Sequence, residues 1–238
     1  VVFMFAFFCL VGMAWGERGV TDTTIKIATH MALTGPAAMV GKPIADGQRM
    51  YFEDLNAKGG VHGRKVVFIA EDDQFLPSRA KETVKKLIAK DQVFTILAPL
   101  QGAGTLAALP DIKKARMPVL FCMTALDTLF VPTKRYVFGW CIPYQDSTAL
   151  WVQWSKEALK SKRFAAVNQW GPVGDTNVKA FEKWTKKLGI ELVHNEKLKN
   201  VKMDYSGLVA KVRAAKADTF MLTPTAQWVI PILKEIQR

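Results

Sequence analysis

The chain holds only three cysteines and three histidines in 238 residues. Cys9, Cys122 and Cys141 form no C-x-x-C pair, so zinc-ribbon and thioredoxin-like readings have no support. Cys122 and Cys141 can pair only if the fold brings their Cα atoms within roughly 7 Å. His30, His62 and His194 are scattered and match no metal-ligand spacing. The patterns G-x-G-x-x-G, G-x-x-x-x-G-K-[ST] and G-x-S-x-G do not occur. A phosphate cradle of those types and a serine nucleophile elbow are therefore excluded. Asp72-Asp73 lacks the neighbouring carboxylates or imidazoles that a metal site or an acid–base pair needs. The expectation is a protein that is not an enzyme, with no catalytic residue, metal or cofactor.

No block of one charge stands out. The formal net charge is +12. Residues 145–238 hold 16 Lys and Arg against 9 Asp and Glu, and the remaining chain holds 17 against 12. The excess is spread along the chain, at helix-surface spacings such as Lys179, Lys183, Lys186 and Lys187. A single-stranded nucleic-acid groove would interleave basic and aromatic residues on one surface, and no such run is present. No nucleic-acid partner is expected.

One apolar run exists, VVFMFAFFCLVGMAWG at residues 1–16. It is shorter than the roughly 20 residues a spanning helix needs. Ala14 and Gly16 are small residues at the spacing of a signal-peptidase site, and Glu17 opens a polar segment. The run reads as an N-terminally clipped signal peptide cut after Gly16, which implies export.

Beyond it, strand and helix patterns alternate. Ile25–His30, Lys65–Ala70, Val93–Ala98 and Pro118–Cys122 read as strands. Between them lie a helix with apolar positions Val40, Ile44, Gly47, Tyr51 and Leu55, one N-capped by Ser78 with Ala80, Val84, Leu87 and Ile88 inward, and one over Ala103–Lys114. The first of these stops at Gly59-Gly60. The register changes around Tyr136–Pro143. A second series follows: helix Thr148–Leu159, strand Arg163–Asn168, helix Val173–Leu188, strand Glu191–Leu198, helix Tyr205–Ala215, strand Thr219–Thr223 and helix Ala226–Arg238. Strictly alternating α/β order argues for parallel sheets covered on both faces. The expected division is lobe 1 at 17–138, a crossover at 139–143 and lobe 2 at 144–238. The last helix meets no Gly, Asn or Pro stop signal, so the second lobe is expected to continue past Arg238.

In open α/β sheets, ligands sit beyond the carboxyl ends of the strands, near helix N-termini. Thr34–Val40, Leu100–Thr105, Met123–Asp127, Gln169–Gly174 and Thr223–Gln227 occupy those places.

The stretch LTGPAAMVGKPIADGQRMYFEDLNAKGGVHGRKV, Leu33 to Val66, resembles the start of the branched-chain amino-acid-binding proteins, the type I periplasmic solute-binding family. Asp72-Asp73-Gln74, Tyr136-Val137-Phe138 and Asp204-Tyr205-Ser206 before Val209-Ala210-Lys211 fit the same pattern. The resemblance runs from about Thr24 to Arg238. It implies a Venus-flytrap fold of two Rossmann-like lobes, with a hinge that includes Gly139, Trp140 and Cys141. It also implies a periplasmic, monomeric binding component of an ABC importer, with permease and ATPase partners, and a small-molecule ligand such as an amino acid, an amide or an aromatic acid. A ligand-sensing receptor domain of the same fold is the alternative. Carried over residue by residue, the ligand positions are Val40, Gln101, Gly102, Ala103, Met123, Thr124, Ala125, Val173 and Thr225. Several depart from the family. A serine is expected at Gly102, Ser-Ala-Thr at Met123-Thr124-Ala125, an aromatic at Val40 and a tyrosine at Val173. Each lost hydroxyl contact to a charged group is worth roughly 1.5–3 kcal/mol, or tenfold and more in affinity. An aromatic or aliphatic carboxylate is therefore expected in place of a simple amino acid.

Overall fold

The computed structural model describes residues 16–35, 37–198 and 204–238. The proposed signal segment lies almost wholly outside the described residues.

Two separate parallel sheets organise the chain. The first is built from β1 (Thr24–Met31), β2 (Lys65–Asp72), β3 (Thr95–Leu97), β4 (Val119–Cys122) and β5 (Val137–Gly139), in the order β2-β1-β3-β4-β5. β1 and β2 pair in continuous register from Thr24 opposite Lys65 to Met31 opposite Asp72. The second has β6 (Arg163–Asn168), β7 (Glu191–Lys197) and β8 (Thr219–Leu222), in the order β7-β6-β8. Central strands are buried on both faces and so read as near-continuous apolar runs, as Phe164-Ala165-Ala166-Val167 does.

Helices cover the sheets. Around the first sheet lie α1 (Ala38–Ala57), α2 (Pro77–Ala89), α3 (Gly102–Ala107), α4 (Leu109–Ala115) and the short α5 (Asp127–Phe130). Around the second lie α6 (Tyr144–Ala158), α7 (Pro172–Leu188), α8 (Ser206–Ala214) and α9 (Ala226–Ile236). Val84, Leu87, Ile96, Ile112 and Val119 share one core between the first sheet and α2 and α4. The second sheet has a core on each face. Val152, Phe164 and Phe181 join α6 and α7, and Val167, Leu208, Val212 and Ile232 join α8 and α9. Lys179, Lys183, Lys186 and Lys187 are exposed on α7, as their spacing implied.

Four local expectations are corrected. The single helix expected over Ala103–Lys114 is two, α3 and α4, meeting at Ala108. Pro110 has no N–H to continue the first helix, and it suits the opening turn of the second. Ser78 is not an N-cap, because Leu76 holds the extended cap position and Pro77 opens α2. The buried stripe of α1 is Gly41, Ala45 and Phe52, while Val40 and Tyr51 are exposed. The helix is turned because Phe52 packs on Phe68 at 5.3 Å, and because Gly41 presses on the Ala32 carbonyl. Finally, α6 starts at Tyr144, four residues before the expected Thr148.

Candidate functional site

The carboxyl ends of β1, β2 and β3 are tied together by three buried or half-buried side chains. Asp72 takes the N–H groups of Leu33 (2.9 Å), Thr34 (3.2 Å) and Gln74 (2.9 Å) on Oδ1, and the Thr34 hydroxyl on Oδ2. Burial works to raise its pKa, but these hydrogen bonds outweigh burial and hold the carboxyl below its ordinary value. Asp73 is fully buried. Its Oδ2 meets His30 Nδ1 at 2.9 Å, and its Oδ1 accepts the Phe75 N–H at 2.8 Å. Asp72-Asp73 is thus a brace for two loops, and among the described residues no group of His, Cys, Asp and Glu is arranged to hold a metal.

Gln101 is the third tie. It is 3% exposed, and its Oε1 caps α3 by accepting the Gly104 N–H at 2.7 Å. Its Nε2 donates to the Phe75 carbonyl at 3.0 Å. Phe75 is therefore clamped on both sides of its backbone in a left-handed conformation, φ +59°, which a non-glycine residue rarely adopts. Its side chain is 42% exposed at this edge.

The neighbouring wall joins the β3–α3 and β4–α5 loops. The Met123 N–H donates to the Pro99 carbonyl at 2.9 Å. Gly102 lies against Thr124, and Thr124 and Ala125 are buried. The Thr124 hydroxyl accepts the Leu126 N–H at 3.3 Å. The structure therefore brings Gln101, Gly102, Ala103, Met123, Thr124 and Ala125 into one wall. Val40 stands apart from it, exposed in the first turn of α1.

In the second sheet the corresponding ends carry Val173 and Thr225. Val173 is half-buried in the first turn of α7, and Thr225 is the exposed N-cap residue of α9. A β-carbon on Gly41 would stand 2.1 Å from the Ala32 carbonyl oxygen, and one on Gly174 would stand 1.8 Å from that of Gln169. Only glycine lets α1 and α7 press this closely on the loops after β1 and β6. At the end of β6, Asn168 donates to Asn195 Oδ1 at 2.9 Å, and the Thr223 hydroxyl donates to Asn168 Oδ1 at 3.0 Å.

The crossover carries Gly139, Trp140 and Cys141. Trp140 is 62% exposed and borders an open depression with Phe130, Gly139, Cys141, Ile142 and Pro143. Cys122 and Cys141 are both free thiols, one buried and one exposed. Burial pushes the Cys122 thiol up to about 12. Past the crossover, the Tyr144 N–H donates to the Ala125 carbonyl at 2.9 Å, and the Gln145 N–H to Asp127 Oδ1 at 3.3 Å. Asp127 thus caps α6 from across the crossover. Its Oδ2 is buried without a partner, and burial raises its pKa. Sequence reasoning missed Phe75, Asp127 and Tyr144, because their roles come from partners 18 to 26 residues away.

Among the described residues no helix is long and apolar enough to cross a membrane. Residues 24–238 match the family described as periplasmic binding protein. A Leu/Ile/Val-binding protein of Rhizobium johnstonii is 26% identical over 212 residues, covering 88% of this chain and 56% of the relative. A Thermus thermophilus branched-chain amino-acid ABC transporter protein, solved with bound valine, superposes with a TM-score of 0.83 at 19% identity, over 92% of this chain and 57% of that one. A fatty-acid ABC transporter substrate-binding protein from Thermomonospora curvata gives 0.81 at 23% identity, over 93% and 56%. The chain spans about half the length of the curated relatives it matches. With two parallel α/β sheets, a crossover between them and a family match over nearly all of its described length, the chain belongs to the periplasmic binding protein family.

Proposed function

We propose that this chain is the extracytoplasmic solute-binding component of an ABC importer. It works as a periplasmic monomer that hands its ligand to a permease driven by an ATPase, and it catalyses no reaction. Residues 17–138 and 144–238 act as two lobes, and 139–143 carries the crossover. The solute sits between the strand ends of both lobes. Gly102, Ala103, Met123 and Ala125 face it from the first lobe, with Val40 at the rim, and Val173 and Thr225 face it from the second. Gln101 acts as a positioning residue, since both ends of its amide are already bonded within the protein.

The observation that carries this reading is the matched construction of the two sheets. In each, a glycine in the first turn of a helix seats that helix on the loop after a central strand. The positive dipole end of a helix at such places favours an anionic head group. A solute that touches both lobes stabilises the closed arrangement by its differential affinity for it.

The ligand class follows from the first-lobe wall. Its side chains are apolar or already hydrogen-bonded, which suits an aliphatic or aromatic carboxylate better than an amino-acid zwitterion, whose ammonium needs acceptor oxygens. The test is a thermal-shift screen of the product of the complete reading frame. The panel holds leucine, isoleucine and valine beside aliphatic and aromatic acids. Stabilisation by one or more acids is expected. Stabilisation by leucine or isoleucine and by no organic acid would reject the ligand class.

A further inference from the structure

We propose that Gly102 and Thr124 are a size-matched pair that determines specificity at the first-lobe wall, excluding a side-chain hydroxyl from residue 102. A β-carbon on Gly102 would stand 2.6 Å from Thr124 Oγ1, 2.8 Å from its Cγ2 and 2.9 Å from its Cβ. Turning the threonine about χ1 moves the first two atoms but not the third. No rotamer of Thr124 therefore clears the clash, and any side chain at 102 requires the backbone to shift.

Glycine at 102 has no other local reason to be there. Its φ is not in the left-handed region, so an ordinary residue could adopt its backbone conformation. It opens a helix, where glycine is disfavoured relative to alanine. What demands glycine is the threonine across from it. Thr124 in turn is 6% exposed, and its oxygen is engaged by the Leu126 N–H. It also lies close enough to the Tyr144 phenol to influence that group's ionisation. The pair thus places one hydroxyl on this wall and turns it inward, to the protein's own groups. A solute meets bare backbone at Gly102 and Ala103. That arrangement offers no side-chain oxygen to an ammonium. The pairing rests on sterics alone, whereas its effect on the ligand rests on the binding function proposed above.

Reciprocal exchange tests it, using G102S, T124G and G102S/T124G in the product of the complete reading frame, because only glycine at 124 removes the β-carbon that stands 2.9 Å from the added one. In the absence of solute, G102S is expected to melt at least about 3 °C below wild type, because overpacking a filled site is destabilising. G102S/T124G is expected to be more stable than the sum of the two single losses allows. If G102S does not accumulate as folded protein, a double variant that does fold supports the pairing in the same way. A G102S protein that melts like wild type, or a double variant that shows the sum of the two single losses, overturns the pairing. For the ligand, the double variant carries a hydroxyl on α3 that Thr124 no longer blocks. Its affinity for leucine relative to an organic acid is expected to rise at least tenfold over wild type. Wild type that binds acids, with a double variant of unchanged preference, overturns the specificity role and leaves the binding function standing. Wild type that no solute stabilises overturns the binding function and the specificity role together, while the melting cycle still decides the pairing.

Discussion

Replacing Gln101 by alanine separates a positioning role from a ligand contact. The side chain makes two internal hydrogen bonds, one capping α3 at Gly104 N and one to the Phe75 carbonyl. Loss of a helix cap costs about 0.5–2 kcal/mol. Loss of a further hydrogen bond costs about 0.5–1.5 kcal/mol. Together the loss is about 1–3.5 kcal/mol, or roughly 2–14 °C in Tm for a chain of this size. Urea or thermal unfolding without solute measures it. Q101E sharpens the test. Its carboxylate can still accept from Gly104 N, but its other oxygen faces the Phe75 carbonyl, so the acceptor–acceptor contact raises the glutamate pKa in the folded state. Q101E should therefore be no more stable than Q101A at neutral pH, and should gain stability as the pH falls and the carboxyl becomes a donor. A Q101A protein that melts within about 1 °C of wild type yet loses solute binding would refute the positioning role and restore Gln101 as a ligand contact.

D127N should stabilise the protein at neutral pH. The folded-state pKa of Asp127 is raised by burial, so ionisation disfavours folding as the pH rises from its unfolded value through its folded one. The asparagine keeps an acceptor for Gln145 N, and its advantage in pH-dependent unfolding should fade in acid. Asp72 behaves in the opposite sense. Its folded pKa is depressed, so its contribution is present above the unfolded value of about 3.8 and is lost as the pH falls through the folded one; D72N should cost stability at pH 7 and much less near pH 2. G41A and G174A should each cost about 1–3 kcal/mol or more in urea unfolding, because the added methyl meets a backbone carbonyl. In thiol titration at pH 8, Cys141 should react in the native protein, and Cys122 only after unfolding.

Seven of the eight strands among the described residues were legible in the sequence, because central parallel strands are apolar on both faces and are bounded by turn residues; the three-residue edge strand β5 was not. Arg163–Asn168 was expected at its observed bounds. Two readings missed because local periodicity competes with packing. The stripe on α1 is set by the Phe52–Phe68 contact and by the approach of Gly41 to Ala32, neither of which leaves a mark on residue spacing. The start of α6 depends on Asp127, which caps it from 18 residues away. At the candidate wall, the proximity of two segments was legible and their hydrogen bonding was not. The segment from Gln101 to Ala103 and that from Met123 to Ala125 do form one wall. Yet the amide of Gln101 and the hydroxyl of Thr124, the two polar groups that looked free for a ligand, are occupied within the protein. Only the partner atoms reveal that.

The central claim is that the two sheets are lobes that close on a small solute. Solution X-ray scattering of the product of the complete reading frame, with and without the acid that most raises its Tm, tests that claim most directly. A smaller radius of gyration with solute bound is the expected result. An unchanged radius under saturating solute would contradict closure and, with it, the account of this chain as a binding component that signals its loaded state by shape.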